Sequence, residues 1–126
     1  MSKTDPVRIV IADDSELFCS ALEAILEPEP GVVVLGLAAD GDEALRLARE
    51  LRPDVMLMDL SMPVTDGFVA TERIRAEVPD TQVVVLTGSA DDGDVERARA
   101  AGAAGYVTKD RIAGELVQAV RSAARL

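Results

Sequence analysis

Val55-Met56-Leu57-Met58-Asp59-Leu60-Ser61-Met62-Pro63 places four apolar residues directly before a carboxylate and a Leu-Ser-Met-Pro turn. A continuous apolar run of strand length, without the alternation of a half-exposed strand, is what a strand buried on both faces of a parallel sheet requires. Further runs of strand length flank it: Val7 to Ala12, Val32 to Ala38, Val83 to Leu86 and the shorter Tyr106-Val107. Between the runs lie stretches with helical spacing. Phe18, Leu22 and Ile25 share one face, as do Ala44, Leu47, Ala48 and Leu51, and Ala70, Ile74 and Val78. The last segment carries a stripe of Ala113, Leu116, Val117, Val120 and Ala124.

Start and stop signals fit this phasing. Asp40 with Glu43, and Ser89 with Asp92, read as capping boxes, while Glu27-Pro28-Glu29-Pro30-Gly31 must break the first helix. The helical stretch from Asp91 to Ala101 turns only Val95 and small alanines inward. Strands alternating with helices give an α/β sandwich of five strands and five helices, with a parallel sheet, because each parallel connection needs a crossover.

A chain of 126 residues is the size of one ordinary domain, and 48% apolar residues suffice for a packed core. The net charge of −10 disfavours DNA or membrane binding by this module itself. With no histidine and a single cysteine, Cys19, zinc chemistry, an internal disulfide and Ser-His-Asp hydrolysis are excluded. The opening residues, acidic at Asp5 and followed by a short apolar run broken by Arg8, are unlike a signal peptide or a membrane span, so a cytoplasmic location is expected.

The chemistry is expected at one edge. Asp13 and Asp14 end the first strand, Asp59 the third, Thr87 the fourth and Lys109 the fifth. In an open α/β sheet the ligand crevice lies outside the carboxyl ends of the strands, so these residues converge. Three close carboxylates repel one another unless a cation sits among them. An oxygen-only donor set without histidine favours Mg²⁺, with Mn²⁺ as a substitute. Asp59 can then act as a carboxylate nucleophile toward a phosphoryl group, with Lys109 neutralising developing charge and the Thr87 hydroxyl donating to a phosphoryl oxygen. Taken singly, each residue has a plainer reading. Asp13-Asp14 read equally well as a helix N-cap, Asp59 as a turn former beside Pro63, Thr87 and Ser89 as caps, and Lys109 as a solvated loop lysine. Tyr106 reads as half-buried packing and Cys19 as a buried small hydrophobe. Their joint placement favours the site.

Over essentially its whole length the sequence resembles the receiver domain of two-component response regulators. The resemblance rests on Ile9-Val10-Ile11-Ala12-Asp13-Asp14, the run from Asp54 to Gly67 around Asp59, Val85-Leu86-Thr87-Gly88, and Gly102-Ala103-Ala104-Gly105-Tyr106-Val107-Thr108-Lys109. It implies a flavodoxin-like (βα)5 sandwich with strand order 2-1-3-4-5 and helices on both faces, residues 1–126 forming a single receiver. It further implies Asp59 as phosphoacceptor, and Asp14, Asp59 and the Ser61 backbone carbonyl as direct ligands of Mg²⁺. Asp13 is then a ligand through water, Thr87 and Tyr106 the switch pair, and Lys109 the phosphate-pairing lysine. A sensor histidine kinase is the implied phosphodonor, small acyl phosphates can stand in for it, and a homodimer on phosphorylation is a possible consequence.

Asp110 stands where many receivers have a proline joined by a cis bond, which bears on the loop after Lys109. The Gly105 to Asp110 ending and the Asp40-Gly41 helix start resemble the NarL/FixJ class. The expectation is therefore phosphorelay signalling, as the input of a DNA-binding transcriptional regulator whose C-terminal helix-turn-helix lies outside this chain. The alternatives are a stand-alone receiver working through protein contacts, and a haloacid-dehalogenase-type phosphatase. The latter needs a second Asp two residues after its nucleophile, where Ser61 stands. Under the favoured reading the chain is not an enzyme beyond gaining and losing its own phosphoryl group.

Overall fold

The computed structural model describes residues 5–62, 66–88 and 92–126. Strands β1 (Val7–Ala12), β2 (Val32–Ala38), β3 (Val55–Asp59), β4 (Gln82–Thr87) and β5 (Gly105–Thr108) alternate with helices α1 (Glu16–Leu26), α2 (Gly41–Leu51), α3 (Gly67–Glu77), α4 (Asp92–Ala100) and α5 (Ile112–Ala124). All strand pairings are parallel, in the order β2-β1-β3-β4-β5. The expected flavodoxin-like topology is the one found.

Two-sided burial explains the unbroken apolar runs. In β3, Val55 and Leu57 enter the core beneath α1 and α5, whereas Met56 and Met58 enter the core beneath α2, α3 and α4. Val84 and Leu86 of β4 go with the first set, Val83 and Val85 with the second. Every one of these eight side chains is fully buried, so the alternation of side-chain direction leaves no polar trace in the sequence. The edge strand β2 differs: Val33 and Leu37 are exposed.

The helix signals are realised with local changes. Asp40 caps α2 by accepting the Glu43 N–H at 2.8 Å, but the Glu43 carboxylate reaches back to the Ala39 N–H at 2.7 Å, one residue before the cap. The cap of α1 is Ser15, which accepts the Phe18 N–H, and not the Asp13-Asp14 pair; both aspartates precede the cap. Helix α1 stops at Leu26, and Gly31 takes a left-handed φ of 77° that favours glycine. The stripe of α5 is turned slightly from the expected one. Ile112, Leu116, Val120 and Ala123 are buried, Val117 and Ala124 are half-buried, and Ala113 is exposed. Ile112 and Ala123 lie at spacings of four and three from Leu116 and Val120, which extends the same face. Leu22 is buried as expected, together with Cys19 and Leu26, while Phe18 and Ile25 lie at the margin of α1. In α4 Ala98 is buried and Val95 half-buried. Ser89, Asp91 and the turn at Pro63 lie outside the described residues.

Candidate functional site

Asp13 follows β1 directly and is held by its backbone, whose N–H donates to the Ala38 carbonyl at 2.9 Å. Its Oδ1 accepts the Ser15 N–H at 2.8 Å, so one carboxylate oxygen is tied to the start of α1 while the residue is only 3% exposed. Asp14, next along, is exposed. Asp59, the last residue of β3, is 1% exposed. Its Oδ1 accepts the Ser61 N–H at 3.2 Å and the Ser61 hydroxyl at 3.0 Å. Gly67 keeps this exit tight: a β-carbon there would stand 2.9 Å from Leu60 Cα and 3.0 Å from the Asp59 carbonyl oxygen.

Lys109 arrives from the far side of the sheet, immediately after β5. Its ammonium lies 3.2 Å from Asp59 Oδ1 and 3.9 Å from Asp13 Oδ2. The following stretch, Lys109–Arg111, is a 3-10 turn without a cis peptide bond, so Asp110 is accommodated with a trans backbone. Carboxylate oxygens of Asp13, Asp14 and Asp59 all lie within 4.8 Å of one another. Three carboxylates thus share a crevice with one ammonium. Burial is the main reason that the Asp13 carboxyl is pushed above its ordinary value of 3.8. The Ser15 N–H opposes that rise, as does Lys109, while Asp59 and Asp14 add to it. Asp13 Oδ2 is buried and accepts no hydrogen bond. An orphaned carboxylate oxygen amid an excess of negative charge and an all-oxygen donor set fits a hard divalent cation.

Thr87 ends β4 and is 6% exposed. Thr87 faces Thr108 across β4 and β5, and Val85 faces Tyr106. Residues 85, 87 and 106 therefore share the sheet face that packs beneath α4, where the half-buried Tyr106 lines a groove of about 200 Å³ with Val95, Ala98 and Arg99. The structure thus joins Asp13, Asp14, Asp59, Ser61 and Lys109 in one cluster and sets Thr87 and Tyr106 on the strands beside it. Ser61 enters through its amide and hydroxyl. Sequence reasoning missed Phe18, whose ring lies 4.5 Å below the Lys109 ammonium. An aromatic residue on an amphipathic helix carries no signal of its own, and the contact joins residues remote in sequence, one on α1 and one just after β5.

The sequence profile of the response regulator receiver domain matches residues 9–121. The chain belongs to the response regulator receiver domain family. Among relatives, the transcriptional regulatory protein LiaR of Bacillus subtilis is 43% identical over 119 residues, covering 94% of this chain and 56% of that protein. A protein-glutamate methylesterase/protein-glutamine glutaminase of Anaeromyxobacter dehalogenans is 44% identical over 124 residues, covering 96% of this chain and 36% of that protein. The signal receiver domain of the putative response regulator NarL from Mycobacterium tuberculosis superposes with a TM-score of 0.91 at 35% identity, over 96% of this chain and 98% of that one. The receiver fold spans about half the length of the regulator it matches, or less. Among the described residues no helix is long and apolar enough to cross a membrane.

Proposed function

We propose that this receiver is a phosphorylation switch in which the Asp59 carboxylate accepts a phosphoryl group from a phosphohistidine of a sensor histidine kinase. A carboxylate oxygen attacks phosphorus, the bond from phosphorus to the histidine nitrogen breaks, and that nitrogen keeps the electron pair. The observation that carries the reading is the Lys109 ammonium, 3.2 Å from Asp59 Oδ1 at a carboxylate cluster with oxygens within 4.8 Å of one another. Asp14, Asp59 and the Ser61 backbone carbonyl would hold Mg²⁺, with Asp13 acting through water; Mn²⁺ is a substitute. When bound, the cation offsets negative charge on the transferring phosphoryl oxygens.

The chain's own groups divide the remaining work. Lys109 pairs with a phosphoryl oxygen, and the Ser61 amide and hydroxyl orient the acceptor. The Thr87 hydroxyl turns to a second phosphoryl oxygen, and Tyr106, on the same sheet face, follows it inward and reshapes the groove beneath α4. A hydroxyl that bonds the phosphoryl group in one state only supplies the differential contact that a shift of equilibrium requires. The shift is proposed to control dimerisation and, through a further DNA-binding domain, transcription in the cytoplasm, in keeping with the regulator LiaR. Catalysis is confined to the domain's own phosphorylation and dephosphorylation.

Incubation with acetyl phosphate and Mg²⁺, followed by intact mass measurement, tests the reading. One phosphoryl adduct is expected on the parent chain, and none after chelation or in Asp59→Asn. Equal labelling with and without chelator would overturn it.

A further inference from the structure

The Lys109 ammonium has a third neighbour besides the two buried carboxylates. The Phe18 ring, in the first turn of α1, presents its face 4.5 Å from Nζ. The Lys109 side chain keeps 30% of its surface exposed, and its four-carbon stem has many rotamers. The carboxylates attract the ammonium from one side only. The negative face of an aromatic ring within about 6 Å attracts a cation from another side and shields it from water. Phe18 is itself fixed: its amide donates to Ser15 Oγ at 3.2 Å, and its ring packs against the core beneath α1 and α5.

We propose that Phe18 is a positioning residue for phosphoryl transfer, holding the Lys109 ammonium over Asp59 and away from solvent. The proposal rests on the reading of Asp59 as the phosphoacceptor. Phe18 does not touch the reacting atoms; it acts through Lys109. An aromatic face beside a partly exposed ammonium corresponds to a rate factor of about two- to five-fold. That factor should be lost in Phe18→Leu, which keeps the apolar bulk but not the ring, and regained in Phe18→Tyr.

The test combines kinetics with spectroscopy. The rate of phosphoryl labelling by acetyl phosphate with Mg²⁺ is measured for the parent, Phe18→Leu and Phe18→Tyr, and again for all three in a Lys109→Gln background. The expected result is a slower Phe18→Leu, a Phe18→Tyr near the parent, and no effect of residue 18 once Lys109 is glutamine. By NMR without any phosphodonor, the Lys109 ε-methylene protons should be shifted upfield by the ring in the parent and in Phe18→Tyr, and not in Phe18→Leu. A Phe18→Leu labelled at the parent rate, or slowed by the same factor in the Lys109→Gln background, would overturn the positioning role, as would ε-methylene shifts indifferent to residue 18. A parent chain that takes no phosphoryl group would instead overturn the phosphoacceptor reading, while the ring shift still decides whether Phe18 holds the ammonium.

Discussion

Asp13 shows at the scale of one residue how the site is tuned against the fold. Its Oδ1 is satisfied by the Ser15 N–H, but its buried Oδ2 accepts no hydrogen bond and faces Lys109 only at 3.9 Å. Burial raises its pKa above 3.8, so the ionised form costs the folded state stability. The native state binds more protons than the unfolded chain between 3.8 and the raised value, and this contribution to stability falls as pH rises through that window. Asp13→Asn keeps the bond to Ser15 and removes the charge. It is therefore expected to raise the metal-free melting temperature at neutral pH, by an amount that shrinks as the pH is lowered toward 3.8. The same variant should gain less than the parent from added Mg²⁺, since a ligand stabilises a fold only through binding to it. Thermal unfolding across pH, with and without Mg²⁺, checks both signs; a destabilised metal-free Asp13→Asn would contradict the account. Cys19 is the contrasting case. It is 4% exposed, burial pushes its thiol up to about 11, and its Sγ donates to the Asp13 carbonyl at 3.4 Å. It serves as the small buried hydrophobe its place on α1 foretold, not as a nucleophile.

Among the elements, the start of α3 matters most to the site because it sets how the chain leaves β3. Gly67 lies so close to Leu60 and Asp59 that the two nearest obstacles to a β-carbon are backbone atoms, which cannot rotate away. Gly67→Ala is expected to destabilise by about 1–3 kcal/mol, as overpacking does, and to slow phosphoryl labelling by displacing Asp59. Denaturant unfolding and acetyl phosphate labelling together check this, and an unchanged protein in both would contradict it. Helix α4 is held differently. The Arg97 guanidinium stacks 3.9 Å from the Phe68 ring centroid and lies 3.9 Å from Asp66 Oδ2, both contacts reaching across to α3. With Ala98 buried and Val95 half-buried, α4 relies on small side chains and an exposed cation. This is why its sequence signal was the faintest of the helices: polar contacts to a neighbouring helix leave no apolar periodicity.

For the whole molecule, the parallel sheet was legible because apolar runs recur at strand length and polar residues fall at their carboxyl ends, whereas its strand order was implied only by the resemblance to receivers. Val55 to Met58 announced a strand buried on both faces, and Asp59 announced the edge where the candidate site lies. The clustering of the candidate site was also legible, since Asp13, Asp14, Asp59 and Lys109 need only the topology to meet. What stayed hidden depends on distances between elements remote in sequence. The Phe18 ring under Lys109 and the turned stripe of α5 are set by packing that one-dimensional spacing does not encode, whereas the Ser15 cap is a local contact in a stretch, Asp13-Asp14-Ser15, that offers three candidate caps. The central claim is that this convergence makes Asp59 the phosphoacceptor, and the position of the phosphoryl group tests it most directly. The chain is labelled with acetyl phosphate and Mg²⁺, the acyl phosphate is reduced with borohydride, and the peptides are sequenced by mass spectrometry. The account predicts a single reduced residue, at position 59; reduction at Asp13, Asp14 or any other carboxylate, with Asp59 intact, would contradict it.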